Sequence, residues 1–274
     1  MKNTRLLVSG LLLLCIIQIS CVQLKEVHAF TETCQATLDR DNQISYGYAD
    51  YCQDSCYIFN VSGIQLADFD CNCQLDEGYD TVITKEYNIL SAYFCALGRL
   101  AGTESKINFA PVATAVQAGT YGSLVVTTEE STIVNTLATV ATDLLTTKYK
   151  SKKIKEVLVR YNDTVTIAME LLKLHIDNLK GRMELMRTKI QQRCDLLMAN
   201  APRDAEKWAT VYIYKQKRKE LAGIIASYDR RYRSLDKIKQ GHSMLYANVN
   251  DLNSATLKKK VIDLAKDIIY INNN

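Results

Sequence analysis

Apolar side chains recur every three or four residues over two long stretches of this chain, and proline hardly interrupts them. The 274 residues include only two prolines, Pro111 and Pro202. Proline breaks a helix because it lacks an amide hydrogen and its ring clashes with the preceding turn. A proline-free stretch with this apolar period therefore predicts long helices that pack side by side along a seam.

The two apolar stripes are separated by a short turn around Pro202. The first stripe consists of Leu158, Tyr161, Val165, Ala168, Leu172, Ile176, Leu179, Met183, Met186, Ile190, Cys194 and Leu197. The second consists of Trp208, Val211, Tyr214, Leu221, Ile225, Tyr228, Tyr232, Leu235 and Ile238. A short turn between two long amphipathic helices indicates an antiparallel hairpin. We predict these helices at about residues 129–198 and 203–249, and a last helix at about residues 253–271.

The sequence divides into three segments. Residues 1–21 form a separate leading segment. Residues 30–80 are rich in turn residues and cysteine, and we predict an irregular cap there. Residues 81–274 form the helical bundle, which begins with a helix at about residues 82–101 because apolar residues recur there at three- and four-residue steps. The predicted fold class is mainly α, an elongated antiparallel hairpin or bundle with a small disulfide-stapled N-terminal cap.

The N-terminus has the pattern of a secretory signal. Lys2 and Arg5 precede an apolar run over residues 6–19. A positively charged start followed by roughly 7 to 15 apolar residues is typical of a signal peptide. A membrane-spanning helix needs about 20 apolar residues, so this run favours export over a permanent span.

Two positions compete for the end of the leading segment. Residues 18–21, Gln-Ile-Ser-Cys, resemble the lipobox of bacterial lipoproteins, although Gln18 stands where an aliphatic residue is usual. This resemblance covers the leading segment only. It implies that Cys21 is acylated and becomes the mature N-terminus, anchored in the outer membrane or at the cell surface. The alternative is ordinary cleavage after Ala29, at Val27-His28-Ala29, which releases a secreted chain that starts at Phe30.

Six cysteines crowd into residues 34–95, and an even number in an exported segment predicts disulfides. They are Cys34, Cys52, Cys56, Cys71, Cys73 and Cys95. We predict three bridges among them, and the sequence leaves their pairing open. Cys194 lies on the first stripe and is predicted to be a buried apolar thiol.

Charge is distributed unevenly along the chain. Residues 30–100 hold 11 acidic and three basic residues, a net charge of −8, whereas residues 148–274 hold 27 basic and 14 acidic residues, a net charge of +13. The two halves either attract each other or face different partners. A lysine cluster predicts contact with an anionic surface, with a solvated helix face as the alternative; its members are Lys148, Lys150, Lys152, Lys153 and Lys155.

The sequence offers no pattern for catalysis. The three histidines, His28, His175 and His242, are scattered, and the last two lie near the stripes, where a histidine bonded within an interface is common. The cysteines lack zinc-ligand spacing, and no nucleophile elbow, phosphate loop or zinc-protease motif occurs. We therefore predict no enzyme, no metal site and no cofactor.

The sequence thus predicts an exported, non-enzymatic scaffold or interaction protein, anchored in the bacterial cell envelope on the periplasmic face of the outer membrane or at the cell surface. Its partners are membrane lipid, through the acyl anchor, and an envelope protein or acidic polymer; export excludes nucleic acid, and oligomerisation stays open. One alternative is a secreted pore-forming protein, in which the uncharged residues 108–128 insert as a hairpin. Another is an inhibitory or exclusion lipoprotein that occupies an envelope partner.

Overall fold

The structure is a computed structural model that describes residues 24–43, 46–60, 71–102, 128–146 and 151–274. Within these ranges the chain forms helices and short connections without any strand, which confirms the mainly α fold class. The helices are α1 (Lys25–Asp41), α2 (Tyr48–Asn60), α3 (Gln74–Ala101), α4 (Thr128–Thr146), α5 (Ser151–Asn200), α6 (Asp204–Ala247) and α7 (Ala255–Asn273).

The predicted hairpin is present as α5 and α6. Polar pairs fix its antiparallel register: Lys173 Nζ lies 2.5 Å from Asp236 Oδ1, and Lys180 Nζ lies 3.1 Å from Asp229 Oδ1. All twelve stripe residues of α5 are buried or half-buried. Burial of such stripes, rather than helix propensity alone, stabilises long helices in water.

Three more helices surround the hairpin. Helix α3 runs antiparallel to α5, where Asp76 pairs with Arg182 at 3.0 Å. Helix α1 runs antiparallel to α3, because His28 Nδ1 donates to Gly98 O at 3.0 Å while Asn42 bonds Asn88 at the other end of the pair. Helix α7 packs against α1 and α6, and its N-cap is Ser254, whose hydroxyl accepts a hydrogen bond from the amide of Leu257. One continuous apolar core joins these helices.

A single helix over residues 129–198 is wrong. Helix α4 ends at Thr146 and packs against both α3 and α5, instead of extending α5 in a straight line. The physical reason is its apolar face, because Val134, Leu137 and Val140 are buried in the core. A straight continuation would leave these side chains in water, at a cost of roughly 25 cal/mol per Å² of apolar surface.

The predicted irregular cap at residues 30–80 is also largely helical. Helix α1 covers its beginning and α2 its middle, and α3 starts at Gln74 rather than near residue 82. In α1, Val27, Phe30, Cys34 and Leu38 advance at helical steps into the core. The disulfides are confirmed in part: Cys52–Cys73 and Cys56–Cys71 tie α2 to the chain just before α3.

Some sequence predictions lie outside the described residues. These are the leading segment with Cys21, residues 108–127 of the uncharged stretch, and Lys148 and Lys150 of the lysine cluster. Among the helices that the structure does describe, none combines the length and apolarity that a membrane span requires.

Several helices meet at one end of the molecule, whereas the hairpin extends past α3 at the other end. At one end, which we call the base, Lys155 of α5 contacts Asn250 beside the start of α7, and Lys258 of α7 pairs with Glu26 of α1. At the other end, α3 begins near Arg182 while α5 continues to Asn200, about 27 Å further at 1.5 Å per residue. Base and hairpin turn are therefore separated by nearly the full length of α5, about 70 Å.

Candidate functional site

The hairpin end that extends past the body is the candidate site, and we call residues 195–220 the tip. No side chain in this range is buried, whereas every part of the body contributes to the core. Among the described residues, α2 alone lies beside the hairpin at this level, where Asp54 pairs with Lys217 and Ile58 lines a groove with Leu197. A two-helix hairpin can bury one face of each helix and leaves the others in solvent.

An aromatic pair projects from the tip. Trp208, which is the only tryptophan of the chain, is 68% exposed, and Tyr212 one turn later is 52% exposed. Their rings stack with centroids 5.4 Å apart and planes 11° from parallel. Large exposed aromatic side chains are costly in water and are enriched where proteins bind partners or membrane interfaces.

The prediction that Trp208 and Val211 lie in the seam of the hairpin is wrong, because both side chains are exposed. In this part of α6, Tyr214 and Lys217 are half-buried and Leu221 is completely buried. Thirteen residues separate Trp208 from Leu221, which puts them about 140° apart around the helix at about 100° per residue. The sequence does contain a signal for this exposure. The helical period, counted backward from Leu221, places Trp208 away from the seam, but Trp208 was assigned to the seam because it is apolar.

Further apolar side chains are exposed around the same end. Ile213 is 63% exposed and Leu196 of α5 is 55% exposed. Beside Ile213, a groove of about 660 Å³ opens between α2, α5 and α6. Its lining combines apolar and charged side chains: Asp54, Tyr57, Ile58, Arg193, Leu197, Ile213, Tyr214 and Lys217.

Basic residues accompany the apolar ones, and some are paired. Lys217 Nζ lies 2.6 Å from Asp54 Oδ2. Partial burial alone would lower the pKa of Lys217, but the hydrogen bond and charge of Asp54 outweigh it and raise the pKa. Lys215 and Lys219, by contrast, are exposed and form no ion pair with any residue that the structure describes.

Two of the three predicted disulfides form. Cys34 and Cys95 are buried free thiols, so the prediction of a third disulfide is wrong. Cys34 belongs to the main apolar core, whereas the charges of Arg99 and Asp39 act on the Cys95 thiol. Burial raises the pKa of Cys95 to about 11 and also raises that of Cys34. Cys194 is a buried thiol as predicted.

The described members of the lysine cluster, Lys153 and Lys155, lie at the base, far from the tip. Lys153 Nζ pairs with Glu156 at 3.1 Å, and Lys155 Nζ donates to Asn250 O at 3.4 Å. Lys152 belongs to the first turn of α5, and its side chain lies outside the described set. Lys153 and Lys155 therefore lie at the same end of the molecule as Leu24, the first residue that the structure describes.

Two histidines, His242 and His175, contact residues of α3 within the bundle. His242 is fully buried, and its Nε2 lies 2.9 Å from the Tyr93 hydroxyl; burial lowers its pKa to about 4. His175 Nε2 lies 3.6 Å from the buried Glu86 carboxylate. In the described ranges, no group of three histidine, cysteine or acidic residues is arranged to hold a metal ion.

The acidic N-terminal half and the basic C-terminal half attract each other. Three ion pairs join the N-terminal helices to the C-terminal helices: Asp76–Arg182, Asp54–Lys217 and Glu26–Lys258. These contacts position α1, α2 and α3 along the hairpin and leave the excess positive charge on α5 and α6.

Over the described residues, fold and site together define an elongated helical bundle from which the end of the α5–α6 hairpin protrudes. No protein-family model, curated protein or solved structure matches the chain.

Proposed function

We propose that this chain is a non-enzymatic interaction protein of the bacterial cell envelope, anchored by acylated Cys21, which presents the tip as its binding face. The observation that carries the proposal is the placement of Leu24 at the base and of the exposed aromatic pair at the opposite end, about 70 Å away. An anchor at the base therefore projects the tip away from the membrane that holds it.

The packing of α1 supports the anchor at Cys21 over cleavage after Ala29. Leu24 and Val27 are 5% and 2% exposed, and Glu26 pairs with Lys258 of α7. Cleavage after Ala29 would remove these residues from the core and cut α1 within its first two turns. A start at Cys21 keeps them all and leaves a two-residue link before Leu24.

The lysines at the base support the same orientation. Lys153 and Lys155 lie at the end where the chain emerges, so an anchored molecule holds them near the lipid head groups. Each lysine near an anionic bilayer surface contributes about 1 kcal/mol to binding at physiological salt.

Intact mass spectrometry of the protein purified from the envelope tests the anchor. The proposal expects a chain that starts at Cys21 and carries a diacylglyceryl group. A chain that starts at Phe30, or an unmodified Cys21, would overturn it.

Site-specific photo-crosslinking in cells tests the binding face. A photoreactive side chain at Tyr212 is expected to give a discrete adduct with an envelope component. The matched control is Tyr270 of α7, which is also exposed but lies away from the tip. Equal adducts at both positions, or none at Tyr212, would contradict the assignment of the tip.

A further inference from the structure

The tip carries apolar side chains that point in several directions around the hairpin end. Trp208 and Ile213 are five residues apart, about 140° around α6, and both are more than half exposed. Leu196 is exposed on the other helix, α5. A rigid protein partner docks against one face, whereas a fluid medium can surround all of these side chains at once.

One face of α6 combines the aromatic pair with the free lysines. Trp208, Tyr212, Lys215 and Lys219 are spaced by four, three and four residues, so they lie on the same side of the helix. Aromatic side chains at the end of the hairpin and cations one to two turns further along are typical of segments that lie at a membrane interface.

The charge at the tip is net positive where it is exposed. The acidic residues of the first turn of α6 are neutralised locally, because Glu206 pairs with Arg203 at 2.9 Å and Asp204 with Lys207 at 3.6 Å. Lys215 and Lys219 have no such partner among the described residues. The charge that remains complements an anionic surface.

We infer that the tip binds the head-group region of an anionic phospholipid bilayer, with Trp208 and Tyr212 at the interface and Lys215 and Lys219 against the lipid phosphates. This inference rests on the proposed function, since it names the partner of the same tip. It requires no membrane-spanning element, because aromatic and cationic side chains at an interface act at the depth of the head groups.

The single tryptophan provides the test. The mature protein is mixed with vesicles of phosphatidylcholine alone or of phosphatidylcholine with phosphatidylglycerol, and the emission of Trp208 is recorded. A blue shift that requires phosphatidylglycerol and is reversed by high salt is expected, together with quenching by lipids brominated on their acyl chains. Because Trp208 lies far from the base, insertion of an acyl anchor at Cys21 does not produce this signal.

Paired variants identify the residues responsible. Lys215→Gln with Lys219→Gln is expected to lower partitioning, measured by the Trp208 signal, about thirty-fold. Lys260→Gln with Lys266→Gln removes the same charge from exposed positions on α7 and is expected to leave the signal unchanged. Tyr212→Ala is expected to weaken binding, and Tyr270→Ala is its control. All six positions are exposed, so the fold tolerates the changes.

Two results would overturn the inference. One is Trp208 emission that does not respond to anionic vesicles. The other is a response that the lysine pairs on α6 and α7 affect equally. If Trp208 stays silent with vesicles while the Tyr212 crosslink captures a protein, the tip binds protein and the proposed function survives. Loss of the Cys21 modification would contradict the anchor alone.

Discussion

At the scale of single residues, Gly241 shows how closely the body is packed. It lies in the interior of α6, where alanine would ordinarily be the better helix former. A Cβ at this position would lie 2.1 Å from Phe30 Cζ, and Phe30 is completely buried. The missing side chain of Gly241 is therefore what allows α1 to pack against α6.

Gly241→Ala is expected to lower the free energy of unfolding by about 1 to 3 kcal/mol, since overpacking outweighs the gain in helix propensity. The matched control is Gly223→Ala in the same helix, where an added Cβ meets nothing within 4 Å. The control is expected to raise the free energy of unfolding by about 0.5 to 1 kcal/mol. Urea denaturation measures both, and equal effects would contradict the close approach of Phe30.

His242 makes the stability of the fold depend on pH. Its pKa in the folded state is about 4, because burial disfavours the imidazolium, and the unfolded value is about 6.5. Above the unfolded pKa both states are neutral and nothing is lost. As the pH falls from about 6.5 toward 4, the unfolded chain binds a proton that the folded protein excludes, so stability decreases.

We expect wild type to lose about 3 kcal/mol more stability than His242→Gln between about pH 7 and pH 4. Glutamine does not titrate and can still bond the Tyr93 hydroxyl, so the difference isolates the histidine. Urea denaturation at the two pH values checks this. Parallel pH profiles for the two proteins would show that His242 is accessible to protons in the folded state.

At the scale of elements, periodicity predicts the helices that have one dominant buried stripe. The bounds of α6 and α7 agree with the prediction within two residues, and the α5 stripe is buried along its length. Helix α1 was missed because a cleavage motif at residues 27–29 divided its apolar stripe. The fold-back of α4 depends on contacts with α3, which are distant in sequence and leave no local signal.

The candidate site was the least predictable element. An apolar stripe predicts which residues are buried if the helix is packed along its whole length. Trp208 was assigned to the stripe only because its side chain is apolar. Its exposure follows from the point at which α3 begins, near Arg182, and that is a property of the assembled bundle. The sequence did indicate that basic charge lies on the hairpin.

The seven cysteines that the structure describes are expected to divide into two disulfides and three protected thiols. Cys34, Cys95 and Cys194 are buried, and burial raises the pKa of each thiol, so a maleimide is expected to label none of them in the folded protein. In denaturant without reductant, all three are expected to react. Mass spectrometry of the labelled peptides counts them; labelling of Cys194 alone after unfolding would indicate a third disulfide between Cys34 and Cys95.

At the scale of the whole molecule, the fold is a rod with a short body and a long hairpin. Helix α5 alone contains 50 residues, which corresponds to about 75 Å. A compact domain of this chain length has a radius of gyration of about 18 Å. Small-angle scattering of the mature protein is expected to give a clearly larger value and a maximum dimension of at least about 75 Å. A compact globular profile would contradict the protruding tip.

The absence of buried side chains at residues 195–220 separates recognition from folding. Stability resides in the body, so the hairpin end can exchange its side chains while the protein keeps its fold. Such a surface is free to diversify under selection for a new target. It is also a natural place to graft an epitope or an optical reporter onto this scaffold.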